Sequence, residues 1–123
     1  MFRDFTYIDD IVSGILNLVT VTPKLNVNWD GNHPTADTSG VAPYQIYNIG
    51  NSEVIPLMDF IETLEDVIGI KAIKNMMPMQ PGDVHLTSAD TSKLETATGF
   101  KPYTPIREGL GAFVTWYRDF YDV

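Results

Sequence analysis

The chain has no cysteine among its 123 residues, which excludes a disulfide scaffold, cysteine-bound zinc and thiol catalysis. Basic residues are also scarce, with 8 Lys and Arg against 16 Asp and Glu and a net charge of −8. We expect no nucleic-acid partner, because no basic stripe can displace counterions. No apolar run approaches the roughly 18–20 residues that span a bilayer, and the N-terminus lacks the apolar stretch of a signal peptide. A cytoplasmic protein without membrane contact is therefore expected.

Several motifs of catalysis and cofactor binding are missing as well. The sequence has no P-loop and no G-x-S-x-G. Its nine glycines form no G-x-G-x-x-G behind a strand, since Gly109 and Gly111 fall within a predicted helix. His33 and His85 stand in different contexts without a second ligand nearby, so no metal site is expected. What remains is ordinary globular material, 44% hydrophobic and 20% charged, enough for one domain or a piece of one.

Apolar residues at a spacing of three to four predict four helices. Capping residues, prolines and glycines set their bounds: Thr6 to about Thr20, Pro56 to Gly69, Asp90 or Thr91 to Gly99, and Thr104–Pro105 onward. The first helix is expected to bury one apolar face, made of Ile8, Ile11, Val12, Ile15, Leu18 and Val19.

Short strands are predicted at Tyr44–Ile49 and Ile70–Met77, with Val84–Ala89 as a third extended segment. Residues 22–43 are rich in proline, glycine and small polar residues, which favours a mobile loop insertion over a functional lid. Four helices with two or three short strands predict a layered α/β unit, or α+β taken by itself. Because sheets usually hold about 4–6 strands, these elements are typical of the tail of a larger α/β protein.

One polar cluster surrounds Arg3. An arginine just before a helix N-terminus suits an anion, because backbone N–H donors, the helix dipole and a fork-shaped cation converge there. The spacing also fits a surface ion pair of Arg3 with Asp4, Asp9 or Asp10, and the spacing alone favours that pair.

A second polar cluster spans residues 77–84. A Pro/Gly-rich loop after a strand can bring backbone close to a ligand, with Gln80 and Asp83 supplying hydrogen bonds. The alternative is a simple turn in which Asp83 satisfies its own backbone, and the spacing alone favours the turn.

Five short motifs, taken together and in order, resemble the extended short-chain dehydrogenase/reductase family and, more narrowly, its nucleotide-sugar epimerases. The motifs are Arg3–Ile11, Tyr47–Gly50, Pro81–Asp83, Ala89–Lys93 and Gly99–Phe100. The resemblance covers nearly the whole chain. Within the family, Met79–Val84 is most similar to the UDP-glucuronate 4-epimerases.

The resemblance implies a role for each polar cluster. Arg3 matches an arginine that contacts the diphosphate of a bound UDP-sugar, and the loop of Gln80, Pro81, Gly82 and Asp83 matches a segment lying against the nucleotide. Galactose-type epimerases carry a second arginine where this chain has Gln80, whereas the uronate type has glutamine. The parent enzyme implied in this way uses NAD and supplies nucleotide sugars for polysaccharide synthesis.

The family performs its chemistry with a Tyr-x-x-x-Lys pair and holds NAD on a glycine-rich turn. The chain has five lysines, and none of the residues four positions earlier is tyrosine: Thr20, Val67, Ile70, Ala89 and Ala97. Residues 1–123 are therefore expected to be one C-terminal, substrate-side portion whose NAD-binding Rossmann half is absent. We expect this chain to hold no catalytic residue, no cofactor and no metal.

Two other interpretations of the chain's function remain open. The chain could be a stand-alone binding module derived from the same fold, or part of a nucleotide-sugar dehydratase or decarboxylase. In the family layout the first helix and the Tyr44–Gly50 segment pack beside the sheet of the other half. Cut free, they would expose apolar surface and a strand edge, so self-association is expected.

Overall fold

The computed structural model describes residues 1–123 and contains four helices and two short strands. In chain order the elements are β1 (Phe2–Asp4), α1 (Ile8–Leu18), β2 (Val54–Pro56), α2 (Leu57–Ile68), α3 (Ser92–Thr98) and α4 (Ile106–Tyr121). β1 and β2 pair antiparallel, with Arg3 opposite Ile55. The predicted set of four helices with two or three short strands is confirmed.

Glycines end two helices as predicted. Gly69 closes α2 and Gly99 closes α3 with left-handed φ angles of 82° and 69°, which glycine adopts without a Cβ penalty. The prediction that Thr6 caps α1 is wrong, since no side chain caps that helix. The N-cap position is Tyr7, so the hydroxyl of Thr6 stands one residue too early. The same displacement holds at α4, where Pro105 takes the N-cap position after Thr104.

The strand predictions fail at two of three places. Tyr44–Ile49 is no strand and contributes one isolated bridge, between Gln45 and Thr38. Residues 70–77 are irregular and exposed. Neither segment has a neighbouring strand to complete a ladder, and β-propensity acts only through such pairing. The third segment does lie along β1, where Phe2 donates to the His85 carbonyl at 2.9 Å and forms a parallel bridge with Leu86.

The segment 22–43 contains no helix or regular strand and is built from turns. Ser39 is buried, and its hydroxyl accepts hydrogen bonds from the Val41 and Ala42 N–H groups at 2.9 and 3.4 Å. An ion pair between Lys93 of α3 and Asp37 joins the segment to the helical part of the chain. Its mobility stays a prediction.

The apolar core is small. Only 11 of 123 residues are buried, among them Leu94 of α3 and Leu110 and Val114 of α4. α1 packs against α3 and α2 against α4. A Cβ added to Gly14 would lie 3.2 Å from Ile49 and 3.7 Å from Leu94, so α1 approaches its neighbours closely on that side.

The predicted buried face of α1 is largely wrong. Ile8, Ile15 and Val19 are 62%, 52% and 74% exposed, because α1 is covered on the side of Gly14 and Leu94 and nothing in the chain covers the apolar side. The aromatic side chains of α4 are also exposed, with Trp116 at 53% and Phe120 at 66%. None of the helices combines the length and the apolar character needed to cross a membrane.

Candidate functional site

The fold brings the two polar clusters together. The Arg3 guanidinium donates from Nη2 to the Asp83 carboxylate at 2.7 Å, although the two residues lie 80 positions apart in the sequence. Their side chains are 22% and 33% exposed, so the pair is accessible from solvent. Arg3 makes no ion pair with Asp4, Asp9 or Asp10, the partners that spacing alone favoured.

Arg3 stands in the middle of β1. Pairing with Ile55 of β2 fixes its backbone, and its Nη1 donates to the Phe2 carbonyl at 2.8 Å. The bonds to Phe2 and Asp83 orient the guanidinium and use only part of its five N–H donors. The remaining N–H donors have no hydrogen-bond partner in the chain.

The loop Gln80–Asp83 is a tight turn. The Asp83 N–H donates to the Gln80 carbonyl at 3.2 Å, and Gly82 takes a φ of 88°, which only glycine adopts readily. All four residues are exposed. The turn predicted from spacing therefore exists, and it carries the Asp83 side chain to Arg3 rather than back to its own backbone.

Asp4 is the residue at this site that sequence reasoning missed. Spacing marks Asp4 only as a partner for Arg3, whereas its carboxylate accepts hydrogen bonds from three backbone N–H groups, those of Asn51, Ser52 and Ala89. The donors lie 47, 48 and 85 positions away, so no local signal in the sequence could reveal them.

The groups gathered here are a guanidinium, a carboxylate and a glycine turn, which offer hydrogen bonds and charge. No three His, Asp or Glu side chains lie close enough to hold a metal ion. The site is suited to an anionic, hydrogen-bonding ligand such as a phosphate ester.

Two grooves lie near the site. A polar groove of about 460 Å³ borders Asp4, Thr6, Asn48 and residues 87–89. A larger, mainly apolar groove of about 610 Å³ runs between the start of α1, α2 and α4, lined by Phe5, Tyr7, Phe60, Ile106, Phe113 and Trp116. Arg3 and Asp83 line neither groove.

Comparison with known proteins gives relatives along the full chain. An uncharacterized 37.6 kDa protein from the cld 5′ region of Escherichia coli O111:H- is 53% identical over 123 residues, 100% of this chain and 36% of that protein. Protein CapI of Staphylococcus aureus is 46% identical, and a Rhizobium meliloti protein named probable UDP-glucuronate 4-epimerase is 44% identical, each over 121 residues. The chain spans about a third of the length of these relatives (36%). No protein-family model matches it.

Solved structures agree in fold. A point mutant of UDP-glucuronic acid 4-epimerase from Bacillus cereus, bound to UDP-4-deoxy-4-fluoro-glucuronic acid and NAD, superposes with a TM-score of 0.71 at 32% identity, covering 98% of this chain and 33% of that one. UDP-glucose 4-epimerase from Bifidobacterium longum, bound to NAD+ and UDP, superposes with a TM-score of 0.72 at 19% identity, covering 96% and 30%. The second likeness concerns the fold alone.

By sequence and by fold, the chain is a homologue of extended short-chain dehydrogenase/reductases, and it matches a C-terminal portion of them. Several of the relatives that cover it are, more narrowly, named UDP-glucuronate 4-epimerases. The resemblance expected from the five motifs is thereby confirmed.

Proposed function

We propose that this chain is the substrate-side portion of an NAD-dependent UDP-sugar 4-epimerase of the uronate type, and that Arg3 and the loop Gln80–Asp83 hold the nucleotide diphosphate. The observation that supports this most is the 2.7 Å contact between Arg3 and Asp83. The contact joins two of the five motifs that resemble the epimerase family, which are 80 positions apart in the sequence. Relatives with UDP-glucuronate 4-epimerase in their names span the same residues.

The roles follow from the chemistry of the groups. A guanidinium gives charge-assisted and often bidentate hydrogen bonds to phosphate oxygens. Asp83 holds that guanidinium in one orientation, which lowers the entropy cost of binding. Gln80 offers a neutral amide at the loop, so the diphosphate meets a single arginine here.

The NAD of the related enzymes does not fit the residues of this chain. A dinucleotide pyrophosphate needs a glycine-rich turn between a strand and a helix. Gly109 and Gly111 both lie inside α4, and the Tyr7 ring packs against Gly109. We therefore assign to this chain the binding of the sugar nucleotide and no part of the hydride transfer.

Copies of the chain are also proposed to associate through the exposed apolar face of α1. Each of these apolar residues is at least 45% exposed: Ile8, Val12, Ile15 and Leu16 of α1, and Val19 at its C-cap. Apolar patches of this kind on a small protein favour contact with a second apolar surface.

Titration with UDP, followed by amide NMR shifts at millimolar ligand, tests the proposed site. We expect shifts around Arg3 and Gln80–Asp83 with UDP and none there with uridine, which lacks phosphate. Arg3→Ala should weaken UDP binding by at least about tenfold, because a charge-assisted contact is lost.

Arg107→Ala is the matched control. Arg107 also pairs with a carboxylate, Asp66, at 3.0 Å, but on the α2–α4 side of the molecule, so its loss should leave UDP binding unchanged. Asp83→Ala should weaken binding more than His85→Ala. Equal UDP affinity in the parent chain and Arg3→Ala would contradict the proposal.

A further inference from the structure

We propose that Asp4 is a positioning residue, which sets the Arg3 guanidinium against the loop Gln80–Asp83. The inference rests on the proposed function only where it concerns UDP. Asp4 follows Arg3 on β1, so the two side chains leave the strand on opposite faces. The Arg3 side chain contacts the loop, while the Asp4 side chain contacts backbone N–H groups on both sides of β1.

The Asp4 carboxylate joins two segments that are distant in sequence. Its Oδ1 accepts from the Asn51 N–H at 3.0 Å, and its Oδ2 accepts from Ser52 and Ala89 at 3.0 and 3.1 Å. Asn51 and Ser52 lie in the turn that leads into β2. Ala89 lies at the end of the segment that follows the Gln80–Asp83 loop. One side chain therefore fixes both neighbours of β1.

β2 holds β1 on one side through all three of its residues. On the other side, the backbone of the segment after the loop joins β1 only at Phe2, which donates to His85 at 2.9 Å and accepts from Thr87 at 3.3 Å. A slip of this segment by one residue along β1 would turn its side chains to the other face and move Asp83 away from Arg3. The Ala89–Asp4 bond at the far end of the segment opposes such a slip and keeps Asp83 beside Arg3.

The turn at residues 50–52 fits closely around the Asp4 carboxylate. Ser52 holds a left-handed φ of 58°, and its hydroxyl bonds to the Ala89 carbonyl at 3.1 Å and the Thr91 hydroxyl at 2.9 Å. A Cβ on Gly50 would lie 2.9 Å from Asp4 Oδ2 and 2.5 Å from the Ala89 Cβ. Successive N–H groups in such a turn form an anion-binding concavity, and here the protein fills it with its own carboxylate.

The test is Asp4→Asn in the 123-residue chain. An amide removes the charge and turns one of the two accepting oxygens into a donor that faces an N–H group, so the three contacts cannot all be kept, with little change of volume. The direct readout is the side-chain 15N–1H signal of the Arg3 guanidinium in an NMR spectrum. The signal is assigned by its loss in Arg3→Lys. The Asp83→Asn variant gives the reference signal of a guanidinium without its carboxylate partner. We expect Asp4→Asn to give the unpaired signal and to weaken UDP binding by at least about tenfold.

Asp10→Asn is the matched control. Asp10 is 7% exposed and its Oδ2 accepts from the Thr104 N–H at 3.0 Å, so its loss destabilises the fold without touching β1. A paired Arg3 signal in Asp10→Asn, beside an unpaired one in Asp4→Asn, would support the positioning role. Equal behaviour of the two variants, or a paired Arg3 signal in Asp4→Asn, would overturn it.

The remaining outcomes are also decisive. If the parent chain shows the paired Arg3 signal but binds no UDP, loss of that signal in Asp4→Asn still supports positioning, while the proposed function fails. If Asp4→Asn does not fold, Asp4→Glu carries the test, because it keeps the charge and displaces the carboxylate by one methylene. An unpaired Arg3 in folded Asp4→Glu supports the inference, and an unchanged Arg3 signal refutes it.

Discussion

Gly50 is tightly surrounded by other atoms and Gly111 is not, so adding a methyl group at each position should change stability in opposite directions. A Cβ on Gly50 would meet Ala89 at 2.5 Å and Asp4 at 2.9 Å, whereas one on Gly111 would meet nothing within 4 Å. Gly50→Ala should lower the free energy of unfolding by about 1–3 kcal/mol through overpacking. Gly111→Ala, inside α4, should raise it by about 0.5–1 kcal/mol.

Urea unfolding of both variants checks this prediction. The pair is matched in chemistry, so a general effect of adding a methyl group would move both in one direction. Wild-type stability in Gly50→Ala would mean that the turn around Asp4 relaxes freely.

At this scale the sequence marked some residues of the candidate site and not others. Arg3 and Asp83 stood out because motif and residue type marked them. Their contact depends on how β1 and the 84–89 segment pair, which no spacing within either cluster encodes. The contacts of Asp4 could not be predicted for the same reason, since its three donors come from segments that meet only in the folded chain.

Among the elements, the exposed segment 70–77 depends on one buried side chain. Glu65 of α2 is 4% exposed. Its carboxylate accepts from the Ala72 N–H at 3.0 Å and pairs with Lys71 at 2.9 Å and with Lys74. Hydrogen bonds from Lys74 and then Lys71 lower the pKa of Glu65 to about 2. The segment leads directly into the Gln80–Asp83 loop, so this anchor also limits where the loop can lie.

The lowered pKa gives a pH dependence with a definite sign. Since the folded pKa, about 2, lies below the ordinary 4.5, the Glu65 contacts stabilise the fold fully above about pH 4.5 and are lost as the pH falls toward 2. Glu65→Gln should therefore be less stable than the parent at pH 7, and the difference should shrink between pH 4.5 and 2. Unfolding by urea at pH 7, 4 and 2.5 measures it.

Asp66→Asn serves as the control for Glu65→Gln. Asp66 pairs with Lys71 and Arg107 but is 52% exposed, so solvent screens its contacts and its loss should change stability little. A difference between Glu65→Gln and the parent that stays constant down to pH 2.5 would contradict the ion-pair account.

Helices were predicted better than strands for a physical reason. A helix closes its hydrogen bonds within its own segment, so periodicity and the stops at Gly69 and Gly99 nearly suffice. A strand exists only beside another strand. Tyr44–Ile49 and Ile70–Met77 have strand-like composition but no strand beside them. Phe2–Asp4, which composition did not mark, pairs because Val54–Pro56 lies next to it.

The whole molecule combines a large exposed apolar area with a net charge of −8. The two oppose one another, because apolar contact favours association and like charge resists it. We expect the chain to associate as its concentration rises, and more strongly when salt screens the repulsion beyond about 8 Å at 0.15 M. Light scattering coupled to size exclusion measures the mass.

A double variant locates the surface responsible. Ile15→Lys with Val19→Lys places charge on the exposed face of α1 and should give a monomer. Val27→Lys with Val41→Lys makes the same change at residues 91% and 81% exposed in the 22–43 segment, and should still associate. A monomeric parent chain at high concentration would count against the apolar-face proposal.

The two tryptophans of this chain lie in different parts of the structure, and the fluorescence of each reports on its own surroundings. Trp29 is half-buried among the turns of 22–43, with its indole Nε1 shielded from water. Trp116 is 53% exposed at the rim of the large groove. Anything covering that groove will shift the emission of Trp116 to shorter wavelength, while loosening of the turns will shift that of Trp29 to longer wavelength. With Trp116→Phe as the blank, fluorescence alone can tell occupation of one region from melting of the other.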